Sequence, residues 1–465
     1  MPTFPILPTI LSIALLFIRV AAKPETPVLL QDRADTIIKQ CSLPGPGEDF
    51  HAASAAEVNL EPDAVKEAIE YASTAGRLSV QIFRHNCKVA EGPLDPLTDG
   101  IANNVFSVTK SVIAMIAGLA YDRNLLALND PIGKYLPREP GWGDEAHRAI
   151  TVEQLLTETS GLDEALFSEI ATSGLDASAP QVALAQPIIY PPGTKFDYSQ
   201  RVPDLMSFVI QQAVGEDLQT FAQKHLFDPI GIANDTFFWL RDRSGNTYGF
   251  ASLYIPPTQL AKLGLLMQND GSWNGQQVIS SDWVSKVSQS SHLNPCYGYF
   301  FWTNRAKPCI GVNFPSAQTY DRHFIPTAPD DLYAMAGAVL QNNFMIPSLD
   351  MTVTWTGIIG DSEPNLSALL GAAPGADRFY TFFRILMRGV KDADVPDPGP
   401  FKVDPLDLDI SPDNYLSATV LLNSLVSSPE CNIVVCNGGI PSDGVMENLR
   451  GLLNVVMGSL KNSLP

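Results

Sequence analysis

A lysine at the entrance of a long apolar run is the feature of this sequence that most restricts its fold. The run reads NNVFSVTKSVIAMIAGLAYD over residues 103–122, and between Lys110 and Asp122 it carries no charge. Its length and apolar content predict a buried helix. Since an isolated buried charge is very unfavourable, Lys110 must either reach water or take part in chemistry.

Ser107 and Lys110 lie three residues apart, so a helix places their side chains on one face. In a dry setting the pKa of the Lys110 amine falls, and the free amine can then take the proton of the Ser107 hydroxyl. Backbone N–H groups at the start of the helix would face the oxyanion. The motif alone is weak, because a chain of this length contains about one by chance, and a solvent-facing lysine is the simpler alternative.

Composition and charge restrict the classes of protein to which this chain can belong. The 465 residues are 45% hydrophobic and 17% charged, which suits one large catalytic domain with additions or two to three domains. A net charge of −20 argues against nucleic acid or an anionic membrane surface as a partner. The six histidines form no HExxH motif and no pair at ligand spacing, so we expect neither a metal site nor a cofactor.

The N-terminus has the layout of a secretory signal peptide over residues 1–22. Its apolar centre runs from Ile10 to Ile18, and Ala22 precedes the expected cleavage point. The run is shorter than the roughly 20 apolar residues of a membrane span. We therefore expect a secreted or lumenal protein, extracellular or in a vacuole or lysosome, with no membrane association after cleavage. An uncleaved anchor is the alternative, because the first residues lack a lysine or arginine.

The cysteines fit an oxidising compartment, because six is an even number and allows complete pairing. Two sequons, at Asn234 and Asn365, would carry glycans in a eukaryotic secretory pathway. Nearness in sequence favours one of the fifteen possible pairings: Cys41 with Cys87, Cys296 with Cys309, and Cys431 with Cys436.

Periodicity and turn residues predict alternating helices and strands along the chain. A segment rich in proline and aspartate, residues 391–414, is predicted to be a linker or a surface arm. The predicted elements are a helix over 62–74, strands over 78–92, a helix from Thr151 to near Gly161, helices and a short strand over 257–287, strands over 333–357, and helices over 377–388 and 446–460.

The residues around Ser107, NNVFSVTKS, resemble the first motif of the serine β-lactamase and penicillin-binding-protein family, particularly its class C-related esterase and 6-aminohexanoate-dimer-hydrolase branch. Further segments are similar to this family in order and character, so the resemblance covers roughly residues 60–390. These segments include VQIFRHNCKVAEG, DPIGKYLP, ITVEQLLTETSGL, YPPGTKFDYSQ and HLFDPIGI.

The resemblance implies an α+β fold, in which helices flank an antiparallel β-sheet and a mostly helical lobe, residues 107–250, lies beside it. The active site would lie in the cleft between the two, with Ser107 at the head of the central helix. The predicted boundaries are a signal peptide (1–22), an N-terminal lead-in (23–59), a serine hydrolase domain (60–390) and a C-terminal extension (391–465).

The resemblance also implies roles for residues far from Ser107 in sequence. Tyr198 matches the tyrosine of the second motif, which exchanges protons with the leaving group or the attacking water. A phenol of pKa near 10 becomes a useful base only beside a cation such as Lys110. Gln200 stands where the family usually has asparagine, and its amide could still bind a substrate carbonyl or hold Lys110.

The third motif departs further from the family pattern. Met335-Ala336-Gly337 aligns with Lys-Thr-Gly or His-x-Gly, so the polar first residue, which commonly helps to bind a substrate carboxylate, is lost. This loss disfavours a true β-lactamase and favours esters or amides without that carboxylate. Gly337 would let a substrate approach the strand closely, and Ala338 would supply the second N–H group for the oxyanion.

The predicted function is a secreted serine hydrolase that cleaves an ester or amide bond through a Ser107 acyl-enzyme, with Lys110 and Tyr198 transferring protons. Its substrate would be a small ester, amide or peptide, and no cofactor is required. The alternative is an inactive relative that binds a ligand or partner, or builds filaments. In a catalytic site, Lys110 should be buried within about 2.6–3.2 Å of Ser107 and Tyr198. In an inactive site, these three side chains would lie too far apart, or Gln200 or Met335 would block them.

Overall fold

The computed structural model describes residues 38–74, 77–313, 317–357, 377–402 and 416–463, which belong to one compact unit. The predicted signal peptide and the sequon at Asn365 lie outside the described residues, as does the predicted arm from 403 to 414. The other sequon asparagine, Asn234, is exposed on the surface.

Helices and strands alternate along the described chain. The strands are β1 (Arg77–Arg84), β2 (Cys87–Glu91), β3 (Asn103–Asn104), β4 (Phe238–Trp239), β5 (Leu253–Ile255), β6 (Ser272–Trp273), β7 (Gln276–Gln277), β8 (Trp302–Thr303), β9 (Cys309–Asn313), β10 (Ala317–Tyr320), β11 (Tyr333–Gly337), β12 (Gln341–Ile346), β13 (Met351–Gly357), β14 (Val426–Ser428) and β15 (Cys431–Asn432). The α-helices are α1 (Pro62–Ser73), α2 (Asp95–Thr98), α3 (Val108–Asp122), α4 (Glu145–Ala149), α5 (Val152–Leu156), α6 (Leu166–Ile170), α7 (Ala179–Ala185), α8 (Arg201–Val214), α9 (Leu218–Ala222), α10 (Pro257–Gln268), α11 (Ser281–Val287), α12 (Asp377–Met387), α13 (Ala418–Leu425) and α14 (Asp443–Ser463).

A six-stranded antiparallel sheet lies at the centre, in the order β2-β1-β13-β12-β11-β8. Side chains alternate between its two faces, so Ile82, Val353 and Phe344 stand side by side across three strands. Helix α12 packs on this face, where the rings of Phe383 and Phe344 have centroids 5.0 Å apart. Helices α3 and α10 pack on the opposite face. The predicted α+β class is therefore confirmed.

The helix that follows Ser107 is buried on all sides, as its apolar sequence predicts. Every residue of α3 from Val108 to Ala120 is buried. Gly118 allows this, because a Cβ atom there would lie 2.3 Å from the ring of Trp283 on α11. Helix α8 packs against α3 from the helical lobe. The lobe and the sheet thus enclose the helix that begins at the candidate nucleophile.

Most of the predicted elements are present, and two differ in length. The helix predicted from Thr151 has the expected cap, a capping box with Gln154, but it ends at Leu156. It ends early because Glu158 and Gly161 take left-handed conformations, with φ of +54° and +76°. The last helix, α14, is longer than predicted and begins at Asp443.

The predicted cysteine pairing is confirmed, since all three disulfides form between the pairs that are nearest in sequence. The first part of the predicted arm, residues 391–402, lies on the surface, where Asp392 pairs with Arg84 and Asp397 with Arg384. No helix in the described ranges is long and apolar enough to cross a membrane. Within those ranges, no cluster of histidine, cysteine, aspartate or glutamate side chains could hold a metal ion.

Candidate active site

Ser107 lies at the N-terminal end of α3, where the chain enters the core. The preceding residue, Phe106, has a φ of +47°, an uncommon left-handed conformation for a side chain of this size. The side chain of Asn104 supports this turn by accepting a hydrogen bond of 2.9 Å from the Phe106 N–H group. Such strain, of about 1–3 kcal/mol, is typical of functional turns. The turn leaves Ser107 half-buried at the head of the helix.

Lys110 is buried beside Ser107, with 1% of its surface exposed. Its Nζ atom donates to Gln200 Oε1 at 2.7 Å, to Ser107 Oγ at 3.3 Å and to the Phe250 carbonyl oxygen at 3.3 Å. Burial lowers the pKa of Lys110 to about 8, although nearby carboxylates oppose the shift. Burial therefore increases the share of free amine near neutral pH. Lys110 can act as a base near neutral pH.

Tyr198 approaches the same serine from the other side of Lys110. Tyr198 and Ser107 line the same cavity, and Lys110 Nζ lies over the Tyr198 ring, 4.6 Å from the centroid. Burial raises the pKa of Tyr198 well above its usual value, so the phenol keeps its proton at neutral pH. The sequence predicted Lys110 within hydrogen-bond reach of both partners. In the structure Lys110 contacts the Ser107 hydroxyl at 3.3 Å and the ring face of Tyr198.

Gln200 holds Lys110 and leaves Ser107 uncovered. Its amide oxygen accepts the shortest of the three hydrogen bonds of Lys110, which is one of the two roles that the sequence left open. Glu169 fixes the backbone here, because its carboxylate accepts from the Ser199 hydroxyl at 2.6 Å and from the Gln200 N–H group at 3.1 Å. Binding of a substrate carbonyl by Gln200 stays a prediction.

A buried ion network fixes the Phe250 carbonyl that Lys110 uses. Arg201 pairs with Asp176 and Asp204 at 3.0 and 3.1 Å, and all three side chains are almost fully buried. The other oxygen of Asp204 accepts from the N–H groups of Gly249 and Phe250, at 2.7 and 3.3 Å. The network therefore connects helix α8, which follows Tyr198 and Gln200, to the loop whose Phe250 carbonyl binds Lys110.

The third motif lies on β11, against the nucleophile. A Cβ atom on Gly337 would lie 2.4 Å from the Val105 carbonyl oxygen and 3.0 Å from the Ser107 nitrogen. Glycine is thus needed here for the close approach of the nucleophile's own backbone, a reason that the sequence did not reveal. Met335 is fully buried, and Ala338 lines a cavity together with Ser107. The oxyanion role of the Ala338 N–H group stays a prediction.

A cavity of about 180 Å³ opens at Ser107. Most of its lining is apolar, and among the described residues none that lines it is charged. Helix α6 forms one wall, and the turn around Phe106 and the β11–β12 connection form the others. The residues that line the cavity are Phe106, Ser107, Leu166, Phe167, Ile170, Tyr198, Gln200, Phe250, Ala251, Val312 and Ala338.

Several residues of the site were not singled out from the sequence. Glu169, Arg201 and Asp204 support the second motif, and Glu158 accepts a hydrogen bond from the Ser199 N–H group. Neither Arg201 nor Asp204 stands out in the sequence, because charged residues are common in the first turn of a helix. The contribution of Phe250 comes from its backbone, which side-chain patterns do not reveal.

A serine at the head of a buried helix, with a lysine one turn on and a tyrosine from a distant loop, is the arrangement that the resemblance to the serine β-lactamase family implies. Residues 89–308 match the family model described as Beta-lactamase. This part of the chain therefore matches the beta-lactamase family, which confirms the resemblance found in the sequence.

Known proteins are similar to parts of the chain. Esterase EstB of Burkholderia gladioli is 26% identical over 158 residues, covering 30% of this chain and 40% of that protein. ML-236A carboxylate methylbutanoyltransferase mlcH of Penicillium citrinum is 29% identical over 218 residues, covering 41% and 50%. The chain thus spans at most about half the length of these curated relatives.

The fold is shared with solved structures of the same class. A candidate 6-aminohexanoate-dimer hydrolase from Bacillus anthracis superposes with a TM-score of 0.51 at 15% identity, covering 70% of this chain and 85% of that one. At that identity the likeness concerns the fold alone. The family match and the relatives named as an esterase and an acyltransferase are the basis of the function proposed below.

Proposed function

We propose that the protein is a serine hydrolase that cleaves an ester or amide bond through an acyl-enzyme on Ser107. One observation carries the proposal: the buried amine of Lys110, with its pKa lowered by burial to about 8, lies 3.3 Å from the Ser107 oxygen. A lysine in this state accepts a proton near neutral pH and makes the adjacent serine a nucleophile.

In the first half-reaction, the Ser107 oxygen attacks the substrate carbonyl while its proton passes to the Lys110 amine. The new C–O bond leaves an oxyanion, which the N–H groups of Ser107 and Ala338 stabilise. The carbonyl then re-forms and expels the alcohol or amine, which receives the proton from Lys110. Water attacks the acyl-enzyme in the second half-reaction, the acid leaves, and Ser107 recovers its proton.

Tyr198 relays protons in this scheme and does not act as a resting base. Its raised pKa keeps the phenol protonated, and its side chain lines the cavity at Ser107, where the leaving group departs. A phenol that donates its proton to the leaving group can take another from the Lys110 ammonium, which lies beside its ring. The charge of Lys110 stabilises the phenolate that forms during the transfer.

The cavity supports an uncharged, apolar acyl group as the part of the substrate next to Ser107. An engineered cavity of about 150 Å³ holds benzene, so a cavity of about 180 Å³ admits an acyl chain of a few carbons. Burying a carboxylate against this lining would be unfavourable by several kcal/mol. The name of mlcH, a methylbutanoyltransferase, describes transfer of a small branched acyl group of this kind.

We further propose that the protein acts in a secretory or extracellular compartment. Three disulfides join its cysteines, and such bonds persist in oxidising surroundings. Processing of residues 1–22 as a signal peptide is part of this proposal.

The test is to label the purified protein with a fluorophosphonate probe and map the adduct by mass spectrometry. Ser107→Ala should lose the label and all hydrolysis of p-nitrophenyl butanoate. Ser111→Ala is the matched control, because Ser111 lies one turn further on the same helix and its hydroxyl bonds to the Phe300 carbonyl. It should keep the label.

Two outcomes would contradict the proposal. Labelling that persists in Ser107→Ala would place the nucleophile elsewhere. A folded protein that neither reacts with the probe nor hydrolyses any ester or amide offered would favour the inactive, ligand-binding alternative. A charged analogue, the p-nitrophenyl monoester of succinate, checks the acyl site separately, and it should react at least about tenfold more slowly than the butanoate.

A further inference from the structure

Helix α6 combines a wall of the cavity with a connection to the second motif. Three of its five residues, Leu166, Phe167 and Ile170, line the cavity at Ser107. The remaining two are buried, and Glu169 has no exposed surface. A helix of one turn is not stable by itself, so the position of this wall depends on contacts with the rest of the fold.

Glu169 connects α6 to the residues that follow Tyr198. Its Oε1 atom accepts from the Ser199 hydroxyl at 2.6 Å and from the N–H groups of Gln200 and Arg201, both at 3.2 Å. Its Oε2 atom also accepts from the Gln200 N–H group, at 3.1 Å. Hydrogen bonds of this kind need acceptor oxygens and no net charge. One side chain of α6 therefore holds three consecutive residues after Tyr198.

Gln200 extends this connection to Lys110. It occupies the N-cap position of α8, but its side chain makes no capping hydrogen bond. Glu169 instead supplies the acceptor that the first N–H groups of the helix require. The Gln200 amide is therefore free to accept the 2.7 Å hydrogen bond from Lys110 Nζ. Two contacts, one to the backbone of Gln200 and one from its amide, thus join the cavity wall to the base.

A second set of contacts joins the same two segments. The Arg201 guanidinium, which directly follows Gln200, donates to the Thr172 hydroxyl and to Asp176, each at 3.0 Å. Thr172 and Asp176 belong to the connection between α6 and α7, and all three side chains of this set are buried. Helix α6 and the start of α8 are therefore held together as one unit.

We propose, on the basis of the function proposed above, that Glu169 is a positioning residue that couples the acyl cavity to the base, Lys110. An acyl chain that packs on Leu166 and Ile170 fixes α6, and Glu169 passes this constraint to Gln200 and so to Lys110. Contacts with the acyl chain then raise the rate of the chemical step, as expected when remote contacts hold the reacting groups in place. The protein therefore selects its acyl group mainly through kcat.

The experiment measures kcat and KM for p-nitrophenyl acetate and p-nitrophenyl butanoate. Glu169→Gln keeps the shape of the side chain but places an NH₂ group where Oε2 accepts from the Gln200 N–H group. For the butanoate, kcat should fall about tenfold, while KM should change by less than about twofold. The ratio of the two kcat values, butanoate over acetate, should fall toward one. A general loss of packing would lower both kcat values by the same factor.

A double-mutant cycle tests whether Glu169 acts through Gln200. Gln200→Ala removes an acceptor of Lys110 and should itself lower kcat by about tenfold. In that background, Glu169→Gln should lower kcat by less than a further factor of about two. Asp95→Asn is the matched control, because Asp95 is also fully buried and accepts from a serine hydroxyl and a backbone N–H group, here on β1. It should leave the kcat values and their ratio unchanged.

Two results would overturn the proposal: losses in kcat that multiply in the double variant, or a butanoate-to-acetate ratio that Glu169→Gln leaves unchanged. Glu169→Asp, which keeps both acceptor oxygens on a shorter side chain, serves in the same tests if Glu169→Gln does not fold. A further readout is independent of turnover: the NMR signal of Lys110 in protein with labelled lysine side chains, assigned with Lys110→Met. It should move in Glu169→Gln and in Gln200→Ala, and stay in place in Asp95→Asn.

The two proposals fail in different ways. If the Lys110 signal responds to Glu169→Gln but no turnover depends on Ser107, the proposed function is wrong. If turnover depends on Ser107 but the Lys110 signal does not respond to Glu169→Gln, the role of Glu169 is wrong.

Discussion

Two regions of the protein differ in which side chains they bury: the surroundings of Lys110 and the C-terminal segment, residues 416–463. The first buries charged side chains, and the second exposes apolar ones. Lys110, Arg201 and Glu158 each have 1% or less of their surface exposed. The C-terminal segment instead exposes large apolar side chains, with 70% of Ile440 and 61% of Leu453 accessible. Buried charges are rare unless paired, whereas exposed apolar side chains are common. The buried charges around Lys110 therefore indicate a function by themselves, whereas the exposed apolar side chains do not.

The two regions are also joined to the fold in different ways. The buried charges are held by hydrogen bonds from several distant segments. The C-terminal segment packs on the outside of the helical lobe, where Ser417 N–H donates to the Ser168 hydroxyl and Asn423 donates to the Ala185 carbonyl. Ser168 belongs to α6, which lines the cavity. The comparison suggests that the interior performs the chemistry and that the C-terminal segment supports one wall of the cavity.

The largest expected effect is on activity, from Lys110→Met. Loss of the base should lower kcat/KM by at least about 10³-fold. Stability should be equal or higher below about pH 8, because the folded state lowers the Lys110 pKa and so disfavours the charged amine at those pH values. Enzyme assays and thermal unfolding would measure the two quantities.

The matched control is Lys262→Met, because Lys262 is also buried but donates only to the Gly231 carbonyl. It should keep full activity. If Lys110→Met lost activity only because the protein unfolded, the result would contradict the proposed difference between the two regions. In that proposal the buried charges serve catalysis and the C-terminal segment supports the cavity wall.

The next effect is on stability, from Arg201→Met. Its removal leaves Asp176 and Asp204 buried without a cation, which should destabilise the protein by about 3–5 kcal/mol in urea unfolding. Arg388→Met provides the comparison, because the Arg388–Glu67 pair is exposed and should contribute less than about 1 kcal/mol. Equal losses in the two variants would show that burial does not distinguish these ion pairs.

Removal of the C-terminal segment should have a smaller effect on catalysis. A chain that ends at residue 415 loses the support of α6, so kcat/KM for p-nitrophenyl butanoate should fall by about tenfold while Ser107 still reacts with the probe. A chain that ends at residue 442 lacks only α14 and should keep its kinetics. If the two truncations behaved alike, α13 would not support the cavity wall.

The smallest effect should come from the exposed apolar surface itself. Leu453→Lys should change the free energy of unfolding by no more than about 0.5 kcal/mol, since the side chain already contacts water. Leu119→Ala, in the fully buried helix α3, should cost about 2–5 kcal/mol. A large loss in Leu453→Lys would mean that this surface is covered by another molecule in solution.

Much of the fold was predictable, because hydrophobic periodicity reports local structure. The helix after Ser107, the strands of the central sheet and the cysteine pairing all follow from short-range patterns. The early end of the helix from Thr151 was not predictable, because the left-handed conformation of Glu158 depends on its contacts with the Tyr198 loop. The boundaries of the predicted hydrolase domain remain a prediction.

By itself, the sequence identified Ser107 and Lys110 as the candidate reacting pair, because their spacing places both side chains on one face of a helix. It also identified Tyr198, through the likeness of its segment to a known motif. Tertiary structure alone decided that Gln200 holds Lys110, that Gly337 makes room for the backbone of Ser107, and that Glu158 accepts a hydrogen bond from the Ser199 N–H group beside Tyr198. These relations join residues far apart in the chain, so they depend on packing and burial, which local sequence patterns do not encode.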